Sequence, residues 1–307
     1  MAKLKSTKTL NILSFAIICF FAQSSVLTPY SQARLPRLVI VGSTTMLPLS
    51  EHLATKYKKS VGVDVLVQGG GSSAGPIAVK NNIAQIASSS RKLTKEEQQN
   101  LKVFVIAHDV LAVVVHPSNP INNISMKQFK DILSGKITNW KELGAPFDKK
   151  IQLINDSSGN GTRAAIEELV MGKLKEKKSV GTPITLMSVV TNSSSEMKSN
   201  LANFKYGIGY LPFSYLDSTV KALYIDNIPP TYAAAYKGEY PLFRNLYYGI
   251  KKDSNGLELA YIYYVLSPEG QDIVVQEGFL PIKLITSVSE LDRIMRSNSV
   301  ERKAGIN

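Results

Sequence analysis

Short runs of β-branched and aliphatic residues alternate along this chain with stretches whose apolar positions recur every three or four residues. LVIV (38–41), VDVLVQ (63–68) and FVIAHDVLAVVV (104–115) predict strands. LPLSEHLATKYKKS (47–60) puts Leu49, Leu53, Ala54 and Tyr57 on one face and predicts a helix. SSAGPIAVKNN opens a second helix, and LTKEEQQNL a third, with Thr94 as its cap and Glu97 three residues on. Strands and helices in alternation imply an α/β lobe on a mainly parallel sheet.

The sharpest break is HPSNPINN (116–123), two prolines and three asparagines in eight residues, where the chain is expected to pass into a second lobe. Beyond it the pattern predicts a helix (SMKQFKDILSG), a turn (KITNWKEL), a strand (IQLI), helices at TRAAIEELVMG and SSSEMKSNLAN, and a strand at YGIGYLPFSYL. LFRNLYYGIKK (242–252) predicts a second crossing strand, and LELAYIYYVLSPEGQDIVVQEG a helical stretch. The expected division is 34–115 with 246–285 for the first lobe, 116–245 for the second, and a polar tail at 286–307.

The first 33 residues change that picture. Lys3, Lys5 and Lys8 precede an apolar run at Leu10–Phe21, and Ser31-Gln32-Ala33 offers a small-residue cleavage site. The run is short for a membrane span, so residues 1–33 read as a secretory signal peptide and the protein as periplasmic. Cys19, the single cysteine, lies inside that run with Ile18 before it, which disfavours lipidation and leaves the mature chain without thiol chemistry or disulfides.

Three junctions carry the candidate chemistry: GSTTMLPLS (42–50), GGGSSAG (69–75) and SSGNGTR (157–163). Each follows a β-type run and leads into a helix. Such a turn presents free backbone N–H groups, hydroxyls and the positive end of a helix dipole to one point. Three together imply an anion held largely by neutral donors, outside the carboxyl ends of the strands. The formal charge of +12 agrees with an anionic ligand, although three of those charges belong to the signal. The densest basic patch, KLKEKK (173–178), lacks interleaved aromatics and reads as a solvated helix face, so no specific nucleic acid is expected. His52, His108 and His116 have no metal-ligand spacing, and no GxSxG elbow is present.

GSTT, QGGGSSAG, ASSSRKL, VIAHDVLAVVV, SGKITNWKELG, a near-copy of GSGTR, YPLFRNLYYGIKK and EGFLPI follow one another in this order. From about Arg37 to Ile282 the chain resembles the periplasmic phosphate-binding proteins that feed an ABC transporter. The resemblance implies a two-lobe type II periplasmic binding protein fold, a monomer without cofactor, metal or catalysis, inorganic phosphate between the lobes, and a membrane permease as partner. It also implies the ligand residues: Ser43, Thr44, Thr45 and Met46 from the first turn, Ser72 and Ser73 from the second, Ser90 with Arg91 after the third strand, and Asn160, Gly161 and Thr162 from the last turn.

One departure stands out. Where that family carries an arginine before GSGT, this chain has Asp156, and the serine of GSGT is Asn160. An aspartate repels phosphate unless protonated or paired, which leaves these alternatives: Arg91 or Arg163 supplies the charge from a different angle, Asp156 points away, phosphate is bound weakly, or the ligand is another anion. Phosphate is told from sulfate by an acceptor for its proton. Asp109, a charge inside an apolar strand, is the first candidate for that acceptor and Asp156 the second. A different class stays open: an envelope binding or adhesion protein of the same fold that takes another oxyanion or anionic polymers.

Overall fold

The computed structural model describes residues 37–172, 183–254 and 256–282. The signal segment, the KLKEKK run and the polar tail lie outside the described residues, among which no helix is long and apolar enough to cross a membrane.

The first lobe begins with β1 (Arg37–Gly42), α1 (Leu47–Val61), β2 (Asp64–Gln68), α2 (Ala74–Lys80), β3 (Ile86–Ser89) and α3 (Lys95–Gln99). β2, β1 and β3 pair in parallel. The capping box at Thr94 and Glu97 forms as its sequence demands. β4 (Leu101–Val115) then runs on for fifteen residues.

The second lobe holds β5 (Asn123–Ile124), α4 (Met126–Leu133), β6 (Gln152–Asp156), α5 (Gly161–Ile166), β7 (Val189–Thr191), α6 (Ser194–Asn203), β8 (Gly207–Pro212), β9 (Lys221–Ile225) and α7 (Tyr232–Tyr236). α5 continues into a wider π turn, Glu167–Met171. Trp140, fully buried, anchors the KITNWKEL turn by donating from Nε1 to the Tyr206 carbonyl at 3.0 Å. The chain returns through β10 (Phe243–Lys251), α8 (Leu257–Leu266) and α9 (Pro268–Gln276). The helical stretch expected after residue 256 is two helices. Ser267 precedes a proline, stays extended at φ −71°, ψ 164°, and caps α9 by accepting from the Gly270 N–H.

The strands follow the order β2-β1-β3-β10-β4-β8-β6-β7, with β9 also on β4 and β5 on β9. β10 and β4 are antiparallel partners from Phe243↔Val110 to Lys251↔Leu101, and both pass from one lobe to the other. Along β4, Ile106 and Ala107 pack in the first core, whereas Val110 to Val115 pack in the second. Leu246 on β10 and Leu242 just before it divide the same way, and Phe279 and Leu280 do so at a third passage, where Leu280 and His108 exchange backbone hydrogen bonds. The first passage therefore falls inside β4, earlier than HPSNPINN. The apolar run 110–115 carries no polar position to mark it, because both faces of the strand are covered.

Candidate functional site

Each of the three turns sits at the carboxyl end of a strand. Gly42 ends β1 at φ 144°, and a Cβ there would run into the Ser88 carbonyl. The next N–H, of Ser43, bonds both the Ser88 carbonyl (3.0 Å) and its hydroxyl (2.9 Å). Ser43 Oγ then donates to Ser90 Oγ at 2.9 Å. Met46 caps α1 with its side chain buried in the first core, so only its backbone belongs to the turn. Ser72 Oγ accepts from the Ser90 N–H at 3.0 Å and lies 3.3 Å from Ser90 Oγ. Ser43, Thr45, Ser72 and Ser90 are all buried.

The turn after β6 closes on these hydroxyls from the other lobe. Asn160 caps α5 by accepting from the Thr162 N–H at 2.7 Å, the cap role any short polar side chain serves there. Thr162 Oγ1 meets Thr45 Oγ1 at 2.9 Å, Asn160 Nδ2 reaches Thr44 Oγ1 at 3.5 Å, and the Ser73 N–H reaches the Gly159 carbonyl at 3.4 Å. Gly161 lies so close that an added Cβ would collide with the hydroxyls of Ser72 and Ser90. Two turns of one lobe and one of the other thus converge on a single buried point.

The cation at that point is Arg244, from β10, which the sequence reading did not single out. Its Nε and Nη2 bond Asp109 Oδ2 at 2.9 and 2.7 Å, and its Nη1 donates to the Ser90 carbonyl and to Thr162 Oγ1, each at 3.1 Å. The two expected arginines are committed elsewhere. Arg91 forks onto Glu97 at 2.7 and 2.8 Å and touches Ser73 Oγ at 3.2 Å. Arg163 bonds Glu167 at 2.9 Å and the Asp156 carbonyl at 3.0 Å. A signal for Arg244 did exist: it is a buried-phase position in the alternating strand FRNLYYGIK, in register with Asp109.

The two acids divide accordingly. Asp109 is the counter-ion of Arg244 through Oδ2, and its Oδ1 is buried with no hydrogen-bond partner among the described residues. Burial pushes its carboxyl up, while Arg244 and the N–H groups of Val110 and Phe213 favour the ionised form. Asp156, 1% exposed, takes the Thr191 hydroxyl on Oδ1 at 2.9 Å, and no partner meets Oδ2 among the described residues. Burial lifts its carboxyl to about 6, against the pull of Thr191, Arg244 and Arg163 and with a push from Glu196. Tyr215, also missed in the sequence, donates from its hydroxyl toward the Thr44 and Thr45 carbonyls at 3.3 and 3.4 Å and so ties the lobes beside the first turn. Among the described residues no group of three His, Cys, Asp or Glu side chains is placed to hold a metal.

Two lobes threaded by antiparallel crossing strands, with glycine- and hydroxyl-rich turns meeting between them, define the periplasmic-binding class of solute receptors. The PBP superfamily domain matches residues 27–269. The phosphate-binding protein PstS of Borreliella burgdorferi is 32% identical over 278 residues, covering 87% of this chain and 98% of that protein. PstS of Bacillus subtilis is 33% identical and covers 80% of each. Among solved structures, a substrate-binding protein with bound phosphate from Clostridium perfringens shares 34% identity at a TM-score of 0.74, covering 80% of this chain and all of that one. The chain belongs to the PstS family of phosphate-binding proteins.

Proposed function

We propose that this protein captures inorganic phosphate between its lobes outside the cytoplasm and hands it to the permease of an ABC transporter. The observation that carries this reading is the meeting of Arg244 Nη1 with the hydroxyl cluster of Ser43, Thr45, Ser72, Ser90 and Thr162. These groups bond one another across the lobes. A tetrahedral anion inserted among them would exchange hydroxyl–hydroxyl bonds for charge-assisted ones, which are about twice as strong. Each oxygen needs its donors, because a buried polar group left unpaired costs about 1–3 kcal/mol.

The anion bridges both lobes, so binding favours the closed arrangement, and the closed form is what the permease would receive. The event is capture and release, with no bond made or broken. Calorimetry of the ligand-stripped protein with phosphate at fixed salt tests the reading. Saturable one-to-one binding is expected. No phosphate binding together with salt-sensitive retention on polyanions would select the envelope-adhesion alternative.

A further inference from the structure

We propose that Tyr215, from the second lobe, is a positioning residue that latches the closed cleft and sets how long the ligand stays. It does so without touching the ligand, by holding the carbonyls of the two peptide groups whose N–H groups the first turn keeps for the anion. The inference rests on the anion-binding reading above and deepens it.

Three observations lead there. The first is what the bond ends on. Thr45 with Thr162, and Asn160 with Thr44, also bridge the lobes, but through hydroxyl and amide donors that an inserted anion would take for itself. The Tyr215 hydroxyl donates instead to the Thr44 carbonyl at 3.3 Å and the Thr45 carbonyl at 3.4 Å. A carbonyl only accepts, and has nothing to offer an anion. This tie therefore survives when the ligand enters.

The second is which peptide groups are held. The Thr44 carbonyl shares its peptide group with the Thr45 N–H, and the Thr45 carbonyl shares its own with the Met46 N–H. Neither N–H meets a partner among the described residues. In a trans peptide the N–H points away from the carbonyl, so a donor on the carbonyl side leaves the N–H side open. It also polarises the group and makes its N–H a stronger donor.

The third is how Tyr215 itself is set. It closes a short 3₁₀ turn, Phe213–Tyr215, directly after β8. The Phe213 ring is buried in the second core, 4.7 Å from the Tyr232 ring. The side chain of Ser195, in the first turn of α6, bonds the same Tyr215 hydroxyl. Burial and the nearby Asp109 charge push the phenol up, so it stays protonated and able to donate. Beside it lies a cavity of about 220 Å³, with Pro48, Glu277 and Phe279 from the first lobe and Ser214, Leu216 and Asp217 from the second. The hydroxyl is thus a discrete tie at the edge of a gap between the lobes.

Tyr215→Phe removes the hydroxyl and keeps the ring. Rapid-mixing kinetics of phosphate binding and release, on wild type and variant, test the latch. Release should quicken about three- to tenfold, the factor one hydrogen bond supplies. Association should stay nearly unchanged, because the bond forms only once the lobes have met. Arsenate should be released faster by the same factor, since Tyr215 acts on closure and not on the ligand. Denaturant unfolding of the ligand-free variant should match the wild type. An unchanged release rate overturns the inference, and so does an affinity loss carried wholly by slower association. A ligand-free variant destabilised enough to account for the lost affinity overturns it too, by making Tyr215 a structural residue. Those results leave the phosphate reading standing, whereas a wild type that binds no phosphate overturns that reading and this inference together.

Discussion

The crossing strands and the end of β6 each bury a carboxylate near Arg244, yet the two acids are held in opposite ways. At the crossing, Asp109 lies fully buried with two guanidinium bonds on one oxygen. At the end of β6, Asp156 is just as buried but has only a neutral hydroxyl for company. Burial alone raises both. What separates them is the partner: a charge is bonded to Asp109 in place, whereas the only side chain bonded to Asp156 is a neutral hydroxyl. A buried acid is therefore assigned its task by what touches it, and not by its depth.

Breaking the crossing should cost most. Arg244→Ala leaves the Asp109 charge buried and alone, and a loss of about 3–5 kcal/mol is expected in denaturant unfolding. Replacing the pair together, Asp109→Asn with Arg244→Met, should recover part of that stability without restoring ligand binding. A double variant no more stable than the single would mean the pair is not the frame described here. Next in size is Gly161→Ala, whose methyl enters the space of the Ser72 and Ser90 hydroxyls. Calorimetry should show phosphate binding weakened about a hundredfold or more, with a smaller change in unfolding, because closure is blocked while each lobe keeps its core.

The smallest effect has the opposite sign. Asp156 is raised in the folded state, so its ionisation opposes folding as pH climbs from the usual carboxylate range to about 6. Asp156→Asn should therefore stabilise the ligand-free protein by about 1–2 kcal/mol above about pH 6, a gain that fades toward about pH 4. Thermal unfolding across that range would show it. A variant destabilised equally at all pH values would place Asp156 with Asp109 as a structural acid.

What could be read in the sequence follows the same division. The three turns are local devices, each a strand, a few Gly, Ser or Thr residues and a helix start, and Ser43, Ser72, Ser90 and Thr162 come together where their strands end. Arg244 depends on a partner 135 residues away, and only the pairing of β4 with β10 reveals it. β7, three residues long, is too short to show a period, and the passage between lobes inside β4 is hidden by a run buried on both faces. The break between α8 and α9 was legible in Ser267-Pro268, but a helical reading that weighs apolar spacing alone runs through it.

The position of β10 has a consequence for how the molecule is made. It lies between β3 and β4, so the sheet of the first lobe joins that of the second only after the chain has reached Lys251. Until then the edge of β3 away from β1 and the first part of β4 have no strand to pair with. Chains whose contacts span such distances fold slowly, because the entropy of closing long loops must be met before the contacts form. A chain of this order therefore completes the sheet that joins its two lobes only once β10 is in place, although β2-β1-β3 and the strands of the second lobe can pair before it.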